Sequence, residues 1–118
     1  MFNNLFGGGN RGHSFEEIGS QQLVEKREHN GQLLIVDVRE PYEYKEGHIP
    51  GSKLIPLGQL TQRLNELDDK DQEIIMVCRS GSRSSSASQQ LAKLGYKKIF
   101  NLRGGMMGWQ RSGLQVER

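Results

Sequence analysis

Two near-continuous aliphatic runs constrain the fold of this chain more than any other feature of its sequence. Residues 33–38 read Leu-Leu-Ile-Val-Asp-Val, and residues 73–78 read Glu-Ile-Ile-Met-Val-Cys. Strands that are covered on both faces have this composition, whereas strands with one face in water alternate apolar and polar residues. Each run is far shorter than the roughly 20 apolar residues of a membrane-spanning helix. The runs therefore predict buried strands of a parallel sheet.

Helical and strand signals alternate along the rest of the chain. Ser20 is a candidate N-cap, Pro41 suits the first position of a helix, and Gly95 is a natural helix stop. We predict strands at 15–18, 33–38, 53–55, 73–78 and 98–101, and helices at 20–28, 42–46, 57–67, 84–94 and around Trp109. This order predicts an α/β fold, a doubly wound parallel sheet with helices on both faces.

The composition limits the classes of function that the chain can have. Its 118 residues predict one domain, at 14–118, preceded by a flexible Gly- and Asn-rich tail at 1–13. A net charge of +2 lacks the strong basic excess of nucleic-acid-binding proteins, so neither nucleic acid nor a membrane is expected as a partner. One cysteine is too few for a disulfide or a zinc site, and no metal or cofactor is expected. Without a signal-peptide core, a cytoplasmic location is expected.

The segment that follows the second aliphatic run has the strongest chemical signal. Cys78 ends the run, and Arg79, Ser80, Gly81, Ser82 and Arg83 lead into the next predicted helix. Ligands of open α/β sheets bind at the carboxyl ends of strands, and the N–H groups of a helix N-terminus attract anions. A thiol in that place, beside two arginines, should ionise more easily than a free cysteine, whose pKa is about 8.5. Gly81 lets the loop turn so that its N–H groups converge.

Cys78 has two interpretations. A lone cysteine after an aliphatic strand is usually an inert core residue. A loop of the form Arg-Ser-Gly-Ser-Arg directly after it would place charge beside the core, so the loop favours a reactive or anion-binding thiol. Such a thiolate can attack the outer sulfur of a small anionic donor such as thiosulfate and become a persulfide. An acceptor thiol, possibly on a protein, or cyanide then takes that sulfur, while the arginines orient the sulfonate of the donor.

Four motifs occur in an order and spacing that identify a family. They are Asp37-Val38-Arg39-Glu40 followed by Glu43, then Gly47-His48-Ile49-Pro50-Gly51-Ser52, the loop from Cys78 to Arg83, and Leu102-Arg103-Gly104-Gly105 with Trp109. From about residue 15 to its end, the chain resembles the single-domain rhodaneses, which are thiosulfate sulfurtransferase-like proteins. The resemblance implies a rhodanese-like sheet of about five parallel strands with a persulfide-forming cysteine at the start of the loop.

The resemblance also implies residue roles. Cys78 matches the nucleophile of the family, and the anion-binding loop is matched by Arg79, Ser80, Gly81, Ser82 and Arg83. Asp37 and Arg39 match a pair that we interpret as a buried ion pair supporting the site.

Other polar and aromatic residues of these motifs are interpreted as structural. His48 could act as a general base, but its loop resembles a packing motif of the family and favours a hydrogen-bonded structural histidine. Trp109 is expected in the core, and Ser84, Ser85, Ser86 and Ser88 are expected to let their helix approach the sheet closely.

Two rival functions remain open at this point. Cysteine phosphatases and arsenate reductases resemble this fold, but they need five residues between the cysteine and the arginine, and this chain has four between Cys78 and Arg83. A loop of that size suits a sulfur atom better than a phosphate. A non-catalytic or redox-sensing module that carries sulfur on Cys78, or that binds a partner protein, is the second rival, and the sequence does not distinguish it from a sulfurtransferase.

Overall fold

The structure is a computed structural model that describes residues 14–118, so the tail predicted at residues 1–13 lies outside the described residues. The strands are β1 (Glu16–Ile18), β2 (Leu34–Asp37), β3 (Lys53–Leu54), β4 (Glu73–Val77) and β5 (Lys98–Leu102). The helices are α1 (Ser20–His29), α2 (Pro41–Glu46), α3 (Ser82–Lys93) and α4 (Gly105–Arg111), and a 3₁₀ segment spans Leu57–Leu67.

All five strands form one sheet in the order β1-β5-β4-β2-β3, and every neighbouring pair is parallel. The two aliphatic runs lie side by side as β2 and β4, with Ile35 opposite Ile75 and Asp37 opposite Val77. The predicted fold class is therefore confirmed.

The sheet separates two hydrophobic cores because successive side chains of a strand point to opposite faces. In β4, Ile74 and Met76 belong to one core, while Ile75 and Val77 belong to the other. The first core is covered by α3 and the 3₁₀ segment, which contribute Ala87, Leu91, Leu60 and Leu67. The second is covered by α1 and α4, which contribute Leu23, Met106 and Trp109. Helices thus cover both faces, as the aliphatic runs predict.

The chain reverses its direction across the sheet between β2 and β4. From β2 it continues to β3 at one edge, whereas from β4 it continues to β5 on the other side. Adjacent strands whose connections leave in opposite directions open a crevice at their carboxyl ends, where ligands of such sheets bind. The segments that begin at Val38 and Cys78 border this crevice.

The segment Leu57–Leu67 differs from the single amphipathic α-helix that its leucines predict. It is a 3₁₀ helix with a kink at Arg63, where φ is −118° and ψ is 25°. Residues three apart align on a 3₁₀ helix, and the leucines occur as two such pairs, Leu57 with Leu60 and Leu64 with Leu67. The kink lets both pairs pack on the same core.

Two helix starts also differ from the sequence prediction. The N-cap of α1 is Gly19, whose N–H donates to the Gln22 side chain at 2.7 Å, so Ser20 is the first helical residue. Helix α3 begins at Ser82, two residues earlier than predicted, because Gly81 turns the chain with a φ of 110°. The last residues of the predicted loop therefore form the first turn of α3.

Residues 14–118 contain neither a membrane-spanning helix nor a cluster of side chains that could hold a metal ion. No helix there is both long and apolar enough to cross a membrane. No group of three histidine, cysteine or acidic side chains in that part of the chain is placed to hold a metal ion. The cytoplasmic location expected from the sequence stays a prediction.

Candidate active site

Cys78 is the first residue after β4, and its sulfur is surrounded by hydrogen-bond donors. The residue is only 1% exposed and packs at the edge of the first core. Its Sγ accepts a hydrogen bond from the Gly81 N–H at 3.1 Å and lies 3.2 Å from the Ser84 hydroxyl oxygen. The sulfur thus lies among polar groups that can stabilise a thiolate, and its reactivity stays a prediction.

The backbone donors result from the turn at Gly81. Its left-handed conformation directs the chain back over Cys78 and starts α3, whose first N–H groups have no partner within the helix. The backbone N–H groups of Ser80, Gly81 and Ser84 stabilise the thiolate form of the sulfur. Because partial positive charge converges on one atom, the turn favours a negative charge there.

Two opposing effects set the pKa of the Cys78 thiol. Burial raises the pKa because it disfavours the thiolate. Hydrogen bonds from the Ser84 side chain and from the backbone N–H groups of Ser84, Gly81 and Ser80 lower it. The hydrogen bonds prevail, and the pKa lies below that of an ordinary cysteine. The direction of the shift agrees with the sequence prediction. The largest lowering contribution, however, comes from Ser84, which the sequence analysis interpreted only as a residue that lets its helix approach the sheet.

Helix α4 holds the loop from behind. The Met106 N–H donates to the Cys78 carbonyl at 2.9 Å, and the Met107 N–H donates to the Arg79 carbonyl at 3.0 Å. This approach requires Gly105, which has a φ of 55° and whose position would bring a Cβ within 2.5 Å of the Cys78 carbonyl oxygen. Since α4 holds these two carbonyls, it fixes the first two peptide units of the loop, including the one that carries the Ser80 N–H.

The two arginines of the loop have different surroundings. Arg83 forms a bidentate ion pair with Glu43 of α2, with N–O distances of 2.8 and 2.9 Å. Arg83 holds the pKa of Glu43 at about 2, well below its ordinary value. Arg79 is exposed and lines a cavity of about 280 Å³ together with Arg39, Glu43 and residues of α4. The predicted contact of Arg83 with a donor stays a prediction, and its guanidinium already binds a carboxylate.

Asp37 and Arg39 form a buried ion pair at the end of β2. The Arg39 Nη2 donates to Asp37 Oδ2 at 2.8 Å and to the Gly47 carbonyl at 2.7 Å, and its Nε donates to Asp37 Oδ1 at 2.9 Å. The Asp37 side chain is 1% exposed and that of Arg39 is 7% exposed. The pair thus joins β2 to the loop after α2 beside the crevice, and its role in supporting the site stays a prediction.

The remaining candidates lie away from the sulfur. His48 Nδ1 bonds to the Tyr44 carbonyl at 2.8 Å, and its ring stacks on the Tyr44 ring. Trp109 is buried in the second core, and its Nε1 donates to the Gln115 carbonyl at 2.8 Å. Both contacts fit the structural interpretation.

Residues 20–112 match the family model for the rhodanese-like domain. The chain belongs to this family. A protein named "Sulfurtransferase" from Allochromatium vinosum is 37% identical over 100 residues, which cover 85% of this chain and 92% of that protein. The "Putative sulfur carrier protein YrkF" of Bacillus subtilis is 43% identical over 96 residues, which cover 81% of this chain and 51% of YrkF. The chain thus spans about half the length of YrkF.

The same family appears among solved structures. The crystal structure of a rhodanese-related protein from Thermoplasma volcanium has a TM-score of 0.78 at 29% identity, covering 87% of this chain and 98% of that one. The rhodanese-like fold therefore extends over nearly all of the described residues.

The sequence prediction missed one part of this rhodanese-like site. Ser84, Asn101 and Glu17 form a chain of side chains that leads away from the sulfur. Ser84 and Ser88 are buried, as expected for a helix close to the sheet, but Ser84 also contacts Cys78. The available signals were a polar Asn101 at the end of a strand and a serine at the start of a helix. Neither signal identifies its partner, because the contact depends on how α3 and β5 pack.

We expect Gly105→Ala to disturb the loop through the close contact with Cys78. The added methyl group should cost about 2 kcal/mol or more of stability, since neither backbone can move freely. Gly113→Ala is the matched control because Gly113 also has a positive φ, of 76°, but nothing lies within 4 Å of its Cβ position. Thermal unfolding and the alkylation rate of Cys78 are the measurements. Equal effects of the two substitutions on both measurements would contradict the contact.

We expect the Glu43–Arg83 pair to stabilise the fold in a pH-dependent way. The pKa of Glu43 is lowered from 4.5 to about 2, so its contribution is present above about 4.5 and is lost as the pH falls towards 2. Glu43→Gln should cost about 2 kcal/mol near neutral pH, and the difference from the unchanged protein should shrink below pH 4.5. Denaturant unfolding at several pH values measures it, with the exposed Glu46→Gln as control. A difference that is the same at every pH would refute the pairing.

Proposed function

We propose that this rhodanese-like protein is an enzyme that transfers sulfane sulfur through a persulfide on Cys78. The observation that carries the proposal is the Cys78 sulfur, buried at the carboxyl end of β4 with donors from Gly81 and Ser84 aimed at it. The similarity to a protein named as a sulfurtransferase, over 92% of its length, supports the same conclusion.

The first half-reaction loads the cysteine. The Cys78 thiolate attacks the outer sulfur of thiosulfate or of a persulfide donor and forms a new S–S bond. The old bond breaks, and its electron pair leaves on sulfite or on the donor thiolate. The negative charge ends on the outer sulfur of the Cys78 persulfide. Arg79, which is exposed and lines the neighbouring cavity, is the cation that we assign to the anionic end of the donor.

The second half-reaction unloads the cysteine. A thiol or cyanide attacks the outer sulfur, and the bond to Sγ breaks with its electron pair on Cys78. The products are a persulfide or thiocyanate and the restored thiolate. Because Cys78 is the leaving group here, every donor that stabilises its thiolate lowers the barrier of this step. The hydrogen bonds that activate the nucleophile in the first step therefore also assist its departure in the second.

A sulfur carrier is the second candidate, and the name of YrkF favours it. A carrier and an enzyme would share the same persulfide and would differ in turnover. With excess donor and acceptor, an enzyme produces many equivalents of sulfite and transferred sulfur, whereas a carrier stops near one equivalent unless a partner protein is added. Counting the equivalents distinguishes the two.

We expect thiosulfate or a persulfide donor to add the mass of one sulfur atom to this protein. Cys78 is the one cysteine of the chain, so Cys78→Ser should show neither the added mass nor sulfur transfer. Its thermal unfolding should stay close to that of the unchanged protein because serine is similar in size. Mass spectrometry of the intact protein and a sulfite assay are the measurements. Activity of Cys78→Ser near that of the unchanged protein would refute the proposal.

We also expect no Cys78-dependent hydrolysis of an aryl phosphate. The Gly81 N–H already lies 3.1 Å from Sγ, and four residues separate Cys78 from Arg83, so little room is left for a phosphoryl group. One glycine inserted after Gly81 would give the phosphatase spacing and should abolish sulfur transfer, because a displacement of about 1 Å is enough to lose most of the rate. Steady-state assays with both substrates measure this. Phosphate hydrolysis without any reaction with thiosulfate would favour the phosphatase instead.

A further inference from the structure

The Ser84 hydroxyl has one proton and two acceptors within reach. Its oxygen lies 3.2 Å from Cys78 Sγ and 2.5 Å from Asn101 Oδ1. A serine donates one hydrogen bond and accepts up to two. Ser84 is fully buried and Asn101 nearly so. The hydroxyl can therefore donate to the sulfur or to the amide oxygen, but not fully to both.

The orientation of the Asn101 amide is fixed from its other side. Its Nδ2 lies 3.1 and 3.2 Å from the two carboxylate oxygens of Glu17, and 3.2 Å from the Gly81 carbonyl. Those three oxygens require a donor, so the Nδ2 must face them and the Oδ1 must face Ser84. The Asn101 amide oxygen and the Cys78 sulfur therefore compete for the one hydrogen bond that the Ser84 hydroxyl can donate.

We propose that the Ser84 hydroxyl alternates during sulfur transfer between two acceptors, Cys78 Sγ when that sulfur is a thiolate and Asn101 Oδ1 when it carries a proton or a second sulfur. In the neutral thiol, the S–H donates to Ser84 Oγ, and Ser84 donates to Asn101. In the thiolate, Ser84 donates to the sulfur, which is the stronger acceptor because it is charged.

The alternation follows the charge through both half-reactions. When Sγ bonds to the outer sulfur of a donor, its negative charge moves to that outer sulfur, and the Ser84 hydroxyl again donates its hydrogen bond to Asn101 Oδ1. When the acceptor removes the outer sulfur, the S–S electron pair returns to Sγ, and Ser84 donates to the forming thiolate. Ser84 thus touches the reacting atom. Asn101 is a positioning residue, because its amide oxygen competes for the Ser84 hydroxyl and so weakens the stabilisation of the Cys78 thiolate.

The charged groups around Cys78 do not replace the hydroxyl. Arg83 of α3 is paired with Glu43 of α2, and Arg79 is exposed. Glu17 of β1 reaches the sulfur only through Asn101 and Ser84. The direct side-chain donor to Sγ among the described residues is therefore the uncharged Ser84.

The inference rests on the proposed sulfur transfer, but its first test does not. We expect Ser84→Ala to raise the thiol pKa of Cys78 by about one unit, because a charge-assisted hydrogen bond is lost. Asn101→Leu should lower it, because the competing acceptor is removed and the hydroxyl stays on the sulfur. The rate of iodoacetamide alkylation against pH measures both. Ser88→Ala is the matched control, since Ser88 is buried one turn further along α3 and bonds to the Ser84 carbonyl instead.

Opposite shifts of the Cys78 thiol pKa in the Ser84 and Asn101 variants would show that the two side chains compete for one hydrogen bond. A purely structural role of these side chains would not give opposite shifts. Damage to the loop would move the thiol pKa of both variants in one direction. If Asn101→Leu does not fold, Asn101→Ala gives the same comparison. Shifts of the same sign, or no shift in Ser84→Ala, would overturn the inference.

The half-reactions give the second test. Above the thiol pKa, Ser84→Ala should load sulfur as fast as the unchanged protein, or up to about threefold faster, because a more basic thiolate is more nucleophilic. Its unloading should be about threefold or more slower, because a more basic thiolate is a poorer leaving group. Single-turnover sulfite release and single-turnover transfer to a thiol measure the two steps. Equal slowing of both steps would overturn the inference. If the unchanged protein forms no persulfide, the proposed function is refuted. The thiol pKa shifts of Ser84→Ala and Asn101→Leu would still test whether the Ser84 hydroxyl is shared between the sulfur and Asn101.

Discussion

The carbonyl oxygens of Cys78 and Arg79 are held by the first N–H groups of α4, and the rest of the site depends on these two hydrogen bonds. A peptide unit with its carbonyl fixed outward has its N–H fixed in the opposite direction, so these bonds orient the N–H groups of Arg79 and Ser80, and the Ser80 N–H is one of those that stabilise the thiolate. Gly105 makes the approach possible because no side chain fits between α4 and the loop. The Gly-Gly motif therefore shapes a site about 27 residues earlier in the chain.

Two of the three guanidinium groups around the loop are paired with carboxylates. Arg83 binds Glu43, and Arg39 binds Asp37, while Arg79 is exposed. Buried and half-buried charges need such partners because desolvation is costly. The groups that hydrogen-bond directly to the sulfur, the Gly81 N–H and the Ser84 hydroxyl, are uncharged, and Arg83 acts on it through its charge rather than by a hydrogen bond.

The backbone N–H groups around the sulfur are fixed, but the Ser84 hydroxyl can rotate between the sulfur and Asn101. Backbone N–H groups cannot follow a charge that moves between two sulfur atoms, whereas a hydroxyl can rotate. A competing acceptor on Asn101 keeps the hydroxyl satisfied when the charge leaves Sγ, so no buried polar atom is left without a partner at either stage. The site would then favour the thiolate enough to make it a good leaving group, but not so strongly that it becomes too weak a nucleophile to take up sulfur.

The sequence by itself determined the parallel sheet, two of its buried strands, the position of Cys78 at a strand end and the turn at Gly81, because these follow from runs of local residues. Only the tertiary structure decided that Arg83 pairs with Glu43, 40 positions away, and that Ser84 meets Asn101, which in turn meets Glu17, 84 positions away. It also decided that α3 starts at Ser82 and that residues 57–67 form a kinked 3₁₀ helix. Side-chain partners of this kind depend on how separate helices and strands pack together. The pattern of neighbouring residues along the chain does not specify which surfaces will meet.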